Sequence, residues 1–544
     1  MGNTMPQSFY AMTGLTAKAS QPATANHVLT GPFSEPLPTC LYRAAQVREL
    51  DRLTIETHGV AGFTLMHRAA RAALDILLEV YPVPGLLTIV CGPGNNGGDG
   101  YLMASLAKQQ GVDVQIIQFG DVSKCSDDAR LARSEAEQAG VLLLPFDPRQ
   151  TLDGGVVVDA LLGTGLSGVV RDDYAAVIAW INSHDLPVVA VDIPSGLCSD
   201  SGAVLGCAVS ADVTVSFIGL KRGLLTGLGP NHCGALLFDD LAVPSAIYDE
   251  VPTDIVKLNL ADTLQALPAR RRCDHKGHFG HVLVVGGDYG MAGAPVMAAE
   301  AAARVGAGLV ACATRQEHVA ALIARCPEVM AQGVVSGQEL ELLLVRPSVL
   351  VVGPGLGRGS WGEQLLQQAY YSDKPMVVDA DALTILSEGR VIKNPYRDNW
   401  ILTPHPAEAA RLLGCDTATV QADRFTAVKT LQQRFGGALV LKGAGTLIAD
   451  AGSEIALCSD GNPGMATGGM GDVLSGVLGA LMAQGLGVGE AARLGVGLHA
   501  RAGDLAAIAG QRGTQATDLI PLLRQLVNGL LVDGVLLKED SVVV

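Results

Sequence analysis

From Leu41 onward, apolar positions along the chain alternate between two periods. In "LYRAAQVRELDRLTIETHG" and "GFTLMHRAARAALDILLEVY" they recur at helical spacing. In "GLLTIVCGPGNNGGDGYLMASLAKQQG" a short continuous apolar run passes into glycines and then into a helical pattern, which predicts strand, glycine loop and helix. Two more apolar runs end in acid, "GVVVDALLGTGL" at Asp159 and "LPVVAVDIPSGL" at Asp192. The second half restarts the alternation with "HVLVVGGDYGMAGAPVMAAEAAARVGAGLVACAT" and continues through "SVLVVGPGLGRG", "KPMVVDADALTIL", "NWILTPHPAEAARLLG" and "GALVLKGAGTLIAD". Strands alternating with helices imply βαβ units and parallel sheets. Loops at the carboxyl ends of such strands gather where the strand order reverses. Asn95, Asn96, Asp99, Asp159, Asp192 and Ser195 are therefore expected to face one site. The two halves share this style without a detectable sequence repeat.

A chain of 544 residues exceeds what one hydrophobic core usually holds. Periodicity weakens between Val251 and Arg272, where "PARRRC" reads as a surface connector with solvated arginines. We therefore expect an α/β protein of two domains: a mobile tail over 1–39, a Rossmann-like αβα sandwich over 40–255, and a second αβα domain over 256–544. Hydrophobic residues are 49% of the chain and aromatics only 4%, an aliphatic composition that suits parallel strands covered on both faces.

Charge narrows the partners. A formal net charge of -16 and a pI near 5.1 argue against a broad face for nucleic acid or anionic lipid. Small anions must then be met locally, by loops. Mean hydropathy is +0.31, yet the apolar stretch Val473–Gly489 is too short and too glycine-broken to span a bilayer. The N-terminus lacks a basic start followed by an apolar run, so no signal peptide is expected. The 11 cysteines have no C-x-x-C spacing and read as reduced thiols of a cytoplasmic protein.

The glycine-rich stretch "GNPGMATGGMGDVLSGVLGALMAQG", Gly461 to Gly485, admits two readings. A helix start leaves unpaired N–H groups and a partial positive charge, so Gly468, Gly469 and Gly471 before a helix would make an anion site without any lysine. Alternatively, the small residues only let two elements pack closely. Asp472 is on the same footing, a catalytic base or a helix cap.

Resemblance to known families bears on both questions. "GGMGD" resembles the G-x-G-D anion hole of the ribokinase-like superfamily. With "HKGHFGHVLVVGG", "GAGLV", "GPGLG", "DADAL", "TPHPAEAARLLG" and "VLKGAGT" in order, the second half resembles the ADP-dependent NAD(P)H-hydrate dehydratases. The first half, through "GPGNNGGDGY", "VDALLGTGL" and "VDIPSGL", is similar to the NAD(P)H-hydrate epimerases, so that the chain as a whole resembles the bifunctional repair family.

The resemblance implies a ribokinase-like second domain and a two-part chemistry. NADH and NADPH that have added water across a ring double bond exist as R and S hydrates; one half interconverts them, and the other uses ADP to phosphorylate and dehydrate the S form. Carried over position by position, Lys442, Gly443, Ala444, Gly445, Thr446 and Gly471 would contact the nucleotide. Ala294, Gly355, His405 and Asp472 would contact the hydrate, with Asp472 as base. In the first half, Asn95, Asn96, Gly97, Gly98 and Asp99, together with Gly163, Thr164, Gly165, Leu166, Ser167, Gly168 and Val169, would form the substrate loops. Asn96, Asp159 and Ser195 would hold K+, and Asp192 would touch the hydrate and move its proton. Magnesium is expected wherever a diphosphate donates phosphoryl. Partners are the small-molecule substrates, and the resemblance leans to a homo-oligomer. A β-branched residue at Gly445 is expected to weaken ADP binding and spare epimerisation. His275, His278 and His281 are spaced like a zinc cluster, but on an incoming strand they would point to different sides, and no set of cysteines or carboxylates completes a tetrahedral site.

Overall fold

The computed structural model of the chain describes residues 37–530. The expected tail lies outside these residues except for its last three. The first domain is built on seven parallel strands: β1 Leu87–Cys91, β2 Val114–Gln118, β3 Leu142–Pro145, β4 Val156–Ala160, β5 Val188–Val191, β6 Val213–Phe217 and β7 Ala235–Asp239. Their order is β3-β2-β1-β4-β5-β6-β7, with every pairing parallel, so the order reverses between β1 and β4. Runs such as "LTIVC" and "VVVDA" are buried along their whole length, as strands covered on both faces must be.

Glycines set how closely the first helix approaches the switch point. Helix Asn95–Gln109 begins directly after β1 and its loop. A Cβ on Gly97 would lie 1.9 Å from the Gly92 carbonyl oxygen, and one on Gly100 would lie 2.7 Å from Ala160 Cβ. No larger residue fits there. "NNGGD" is thus the first turn of a helix pressed onto the sheet rather than a free loop.

The second domain holds ten strands: β8 Ile255–Lys257, β9 His281–Val285, β10 Leu309–Thr314, β11 Met330–Gly333, β12 Val349–Val352, β13 Met376–Val378, β14 Trp400–Leu402, β15 Ala438–Leu441, β16 Thr446–Ala449 and β17 Ile455–Cys458. They are ordered β11-β10-β9-β12-β13-β14-β15-β16-β17-β8, parallel except for the pairings β15-β16 and β16-β17. Here the order reverses between β9 and β12. The close-packing reading of the glycine-rich stretch holds at one residue. Within helix Met470–Ala483, a Cβ on Gly476 would lie 2.0 Å from the Ala298 carbonyl oxygen of helix Gly293–Val305, so this glycine serves close packing. Gly468 has open space around it.

The connector is more structured than its weak periodicity suggests. β8, inside it, pairs with β17 of the second sheet. The segment entering the first domain lies alongside: Leu41 N donates to Ile255 O at 3.0 Å and Lys257 N to Thr39 O at 2.6 Å. One apolar cluster spans the junction, joining Leu41, Ile193, Leu220, Leu224 and Leu225 to Ile255, Leu439 and Leu457. His275 and His278 sit in a 3₁₀ turn with stacked rings, and only His281 is on a strand, β9. All 11 cysteines are free thiols, six of them buried. No described helix is long and apolar enough to cross a membrane.

Candidate functional sites

A cleft of about 610 Å³ opens at the carboxyl ends of β1, β4 and β6. Asn95, Asn96, Asp99 and the turn Gly163–Ser167 line it, together with Asp192. Asp192 has φ 68°, a left-handed conformation that a non-glycine residue adopts at a cost of order 1–3 kcal/mol. Its N–H donates to Val215 O at 2.7 Å, and its carboxylate accepts a short bond from the Lys221 ammonium. Lys221 is 1% exposed and also donates to Phe217 O at 2.9 Å and Ser216 Oγ at 3.2 Å, which fixes its direction.

Two further carboxyls feel the same ammonium. Burial, reinforced by the negative charges of Asp192 and Asp51, pushes Asp99 well above the usual carboxylate range. Asp51, on helix Ala44–Arg52, is pushed up to about 6 by burial, with Lys221 opposing. The cleft thus combines two carboxyls raised by burial with an ion pair.

Asp159 and Ser195 lie behind the cleft wall, 0% and 1% exposed. Ser195 Oγ donates to Asp159 Oδ1 at 2.6 Å, Ser195 N to Asp159 Oδ2 at 2.7 Å, and Leu162 N to Ser195 Oγ at 2.8 Å. Burial raises the Asp159 carboxyl to about 6 against these bonds. Asn96 Nδ2 donates to Leu162 O at 3.1 Å, but its Oδ1 is buried without a hydrogen-bond partner among the described residues. Gly97 and Gly98 face packing contacts, Gly92 and Met66, rather than the cleft. Val169 is 74% exposed, and neither it nor Gly168 lines the cleft.

The second site is assembled on helix Met470–Ala483. Gly469, at φ 95°, is the N-cap, so the helix starts two residues before Asp472. Asp472 occupies the third helical position and makes no side-chain hydrogen bond among the described residues, which removes the capping explanation. Burial, with Asp379 adding to it and Lys442 opposing, raises its carboxyl to about 7.

Beside this helix start, Lys442 Nζ donates to Asp379 Oδ1 at 2.9 Å, and Ser475 Oγ donates to Asp379 Oδ2 at 2.8 Å. Burial works against ionised Asp379, but the adjacent ammonium wins and holds it below the usual range. A Cβ on Gly471 would come within 3.3 Å of Asp379 Oδ2 and 3.4 Å of Lys442 Nζ, so glycine leaves room at the ion pair. His405 caps helix Pro406–Leu413, its Nδ1 accepting from Ala407 N at 3.1 Å and Glu408 N at 3.3 Å. Burial, with Lys442 adding to it, lowers the His405 imidazole and keeps it neutral. Gly355, at φ 57°, would place a Cβ 3.2 Å from that of Ala294, so these two expected contacts are neighbours.

Relatives match the chain over most of its length. The family described as NAD(P)H-hydrate dehydratase matches residues 282–525, and the one described as YjeF-related protein N-terminus matches 62–223. The chain is 48% identical over 491 residues to the bifunctional NAD(P)H-hydrate repair enzyme of Coxiella burnetii, covering 90% of this chain and 100% of that one. It is 42% identical over 493 residues to the Escherichia coli enzyme, covering 90% and 95%. The chain belongs to the bifunctional NAD(P)H-hydrate repair enzymes. A solved ADP/ATP-dependent NAD(P)H-hydrate dehydratase from Bacillus subtilis, co-crystallised with ATP and Mg2+, is 25% identical with a TM-score of 0.45, covering 50% of this chain and 97% of that one.

For a repair enzyme, the unexpected residues of the epimerase half are Lys221 and Asp51, and those of the dehydratase half are Asp379 and Ser475. Lys221 carried a faint signal, a lone lysine in "SFIGLKRGLL" just past an apolar strand run. Asp379 ends the apolar run "PMVVD" as Asp159 and Asp192 end theirs, and could have been read the same way.

One expectation changes outright. A Cβ on Gly445, at φ 65°, would lie 2.1 Å from the Leu225 carbonyl oxygen of the first domain. Gly445→Val therefore strikes the domain junction, and the ground for its sparing epimerisation is gone.

Proposed function

We propose that the first site epimerises the R and S hydrates of NADH and NADPH, and that the second dehydrates the S form at the expense of ADP, giving NAD(P)H, AMP and phosphate. Asp472 carries this reading: a partly buried carboxyl, raised to about 7, stands free at a glycine-led helix start beside the Lys442–Asp379 pair. A general base works best with a pKa near the operating pH. Asp472 takes the proton of the hydrate hydroxyl as its oxygen attacks the β-phosphorus of ADP and AMP leaves. The amides of the helix start face the charge on the transferring group. The phosphorylated oxygen then departs as phosphate while the ring loses a proton, restoring the double bond. Lys442–Thr446 and Gly471 are assigned to the nucleotide, and Ala294, Gly355 and His405 to the hydrate. Magnesium, arriving with the diphosphate whose oxygens supply most of its ligands, would neutralise phosphate charge.

In the first site Asp192 is assigned the proton transfer, and Lys221 holds its carboxylate at the cleft. Asn96, Asp159 and Ser195 fit a potassium ion: the set is oxygen-rich, one member is a carboxylate, and Asn96 Oδ1 is a buried acceptor without a donor. Bound there, the cation would fix the Asp159–Leu162 turn beneath the substrate loops. Self-association is proposed as well, to be read by light scattering.

The deciding experiment incubates the protein with hydrated NADH and ADP and follows the absorbance of reduced nicotinamide. The expected result is ADP-dependent recovery from both epimers. Recovery from S alone would remove the epimerase assignment, and no recovery would remove both.

A further inference from the structure

The nucleotide loop Lys442–Gly445 joins β15 to β16, and the accounting of its backbone groups is lopsided. Every carbonyl from Leu441 to Gly445 has a donor. Arg424 Nη2 lies 3.3 Å from each of the Leu441, Lys442 and Gly445 oxygens. Thr446 Oγ1 donates to Gly443 O at 3.0 Å. Thr226 Oγ1 lies 3.2 Å from the Ala444 and Gly445 oxygens, and Gly227 N donates to Ala444 O at 3.2 Å. The N–H groups of Gly443, Ala444 and Gly445 have no acceptor among the described residues. A loop whose carbonyls are all engaged and whose amides are free is set to receive an anion.

Two of the donors behind the loop are unusual. Arg424 is 1% exposed, and its side chain meets loop carbonyls, Gln421 Oε1 at 2.9 Å and Thr226 Oγ1 at 3.2 Å, with no carboxylate among its described hydrogen-bond partners. Burial lowers its guanidinium to about 10, which leaves it charged at neutral pH. An unpaired buried charge is costly and is tolerated only where its donors are all taken up. Thr226 belongs to the other domain and follows Lys221 of the epimerase cleft by five positions.

We infer that Arg424 and Thr226 are positioning residues of the dehydratase reaction: the epimerase domain, through the Thr226 hydroxyl, completes from behind the loop that holds the diphosphate of ADP. This rests on the assignment of Lys442–Thr446 to the nucleotide. Thr226 accepts from Arg424 Nε and shares its one proton between two loop carbonyls, turning them from the ligand. Arg424 places a positive charge at the back of the same loop.

The test uses the full chain and three variants. Thr226→Val keeps the shape and removes the hydroxyl; Thr226→Ser restores it; Arg424→Lys keeps charge but loses the fork. Dehydration is measured against ADP concentration with S hydrate saturating, and R-to-S conversion is measured on the same preparations. Losing a buried hydrogen bond and stranding its acceptor should raise the KM for ADP about tenfold in Thr226→Val, with kcat changed less than about threefold. Thr226→Ser should return to wild type, and Arg424→Lys should raise the same KM about tenfold or more. An unchanged KM in Thr226→Val overturns the inference. So does a loss shared equally by kcat, epimerisation and melting temperature, which marks a merely structural contact. If wild-type protein shows no ADP-dependent dehydration, the nucleotide assignment itself has failed, and the inference falls with it.

Discussion

Both halves place their chemistry at the carboxyl ends of parallel strands, at the reversal between β1 and β4 in the first and after β13, β14 and β15 in the second, and then handle charge in opposite ways. The first half gathers Asp51, Asp99 and Asp192 around one buried lysine, and burial raises the Asp51 and Asp99 carboxyls against it. The second half pairs its lysine with Asp379 and leaves Asp472 unbonded among the described residues, at a helix start whose amides carry the positive potential. On the proposed assignments, the first site passes a proton back and forth, and the second accepts one while an anion forms. A shared fold principle therefore says where a site lies, and local charge bookkeeping says what it does.

Substitutions sharpen this contrast. The largest effect is expected from Asp472→Asn, which should lower dehydration by ~10²- to 10⁴-fold while ADP binding by calorimetry changes little, since the amides remain. A variant with more than half the wild-type rate ends the base assignment. Asp192→Asn should slow epimerisation by about 10²-fold, so that R hydrate accumulates in a mixture treated with ADP while S is consumed. Rapid sampling against an enzyme-free control reads this out, and disappearance of R at the wild-type rate would contradict the role.

Acidity separates the halves without mutation. Asp472 must be ionised to act and is raised to about 7, so dehydration should rise with pH through about 7 and fall roughly tenfold for each unit below it. An inflection near 4, where ordinary carboxyls titrate, would show that Asp472 is not the group observed. The smallest change is expected at Asn96: Asn96→Ala should raise the potassium concentration for half-maximal epimerisation roughly threefold and leave the ADP dependence of dehydration unaltered. Equal responses of both activities to potassium would contradict the separate assignment.

The sequence made the strand-and-acid grammar legible because it is local. "LTIVCGPGNNGGDG" carries its strand, turn and helix within fourteen residues, and Asp159 and Asp192 are marked by the apolar runs they end. Lys221 escaped because its meaning depends on Asp192, twenty-nine positions away. Asp379 ends its apolar run as those aspartates do, but its pairing with Lys442, sixty-three positions on, leaves no local sign. Gly445 was understood as a phosphate glycine, although the atoms that forbid a side chain there belong to Leu225 and Thr226, more than two hundred positions earlier. Likewise β8 hides in three residues of a connector, since its partner β17 supplies the reason for it to be a strand. Packing between distant segments has no periodicity to read.

The stitching of β8 bears on how the halves would behave if cut apart. The chain enters the first domain at Thr39–Leu41 and leaves it at Ile255–Lys257, and these two crossings are hydrogen-bonded to each other at the rim of the second sheet. Thr253 Oγ1 donates to Leu41 O, and Arg43 pairs with Asp254 at 3.2 Å, closing the same seam. In topological terms the first domain is a loop with a clasped neck, grafted onto the edge of the second. A protease nick between β7 and β8 would break the covalent thread and leave the clasp, the shared apolar cluster and the Thr226 bonds in place. The fragments should then migrate together on a sizing column, parting only in denaturant.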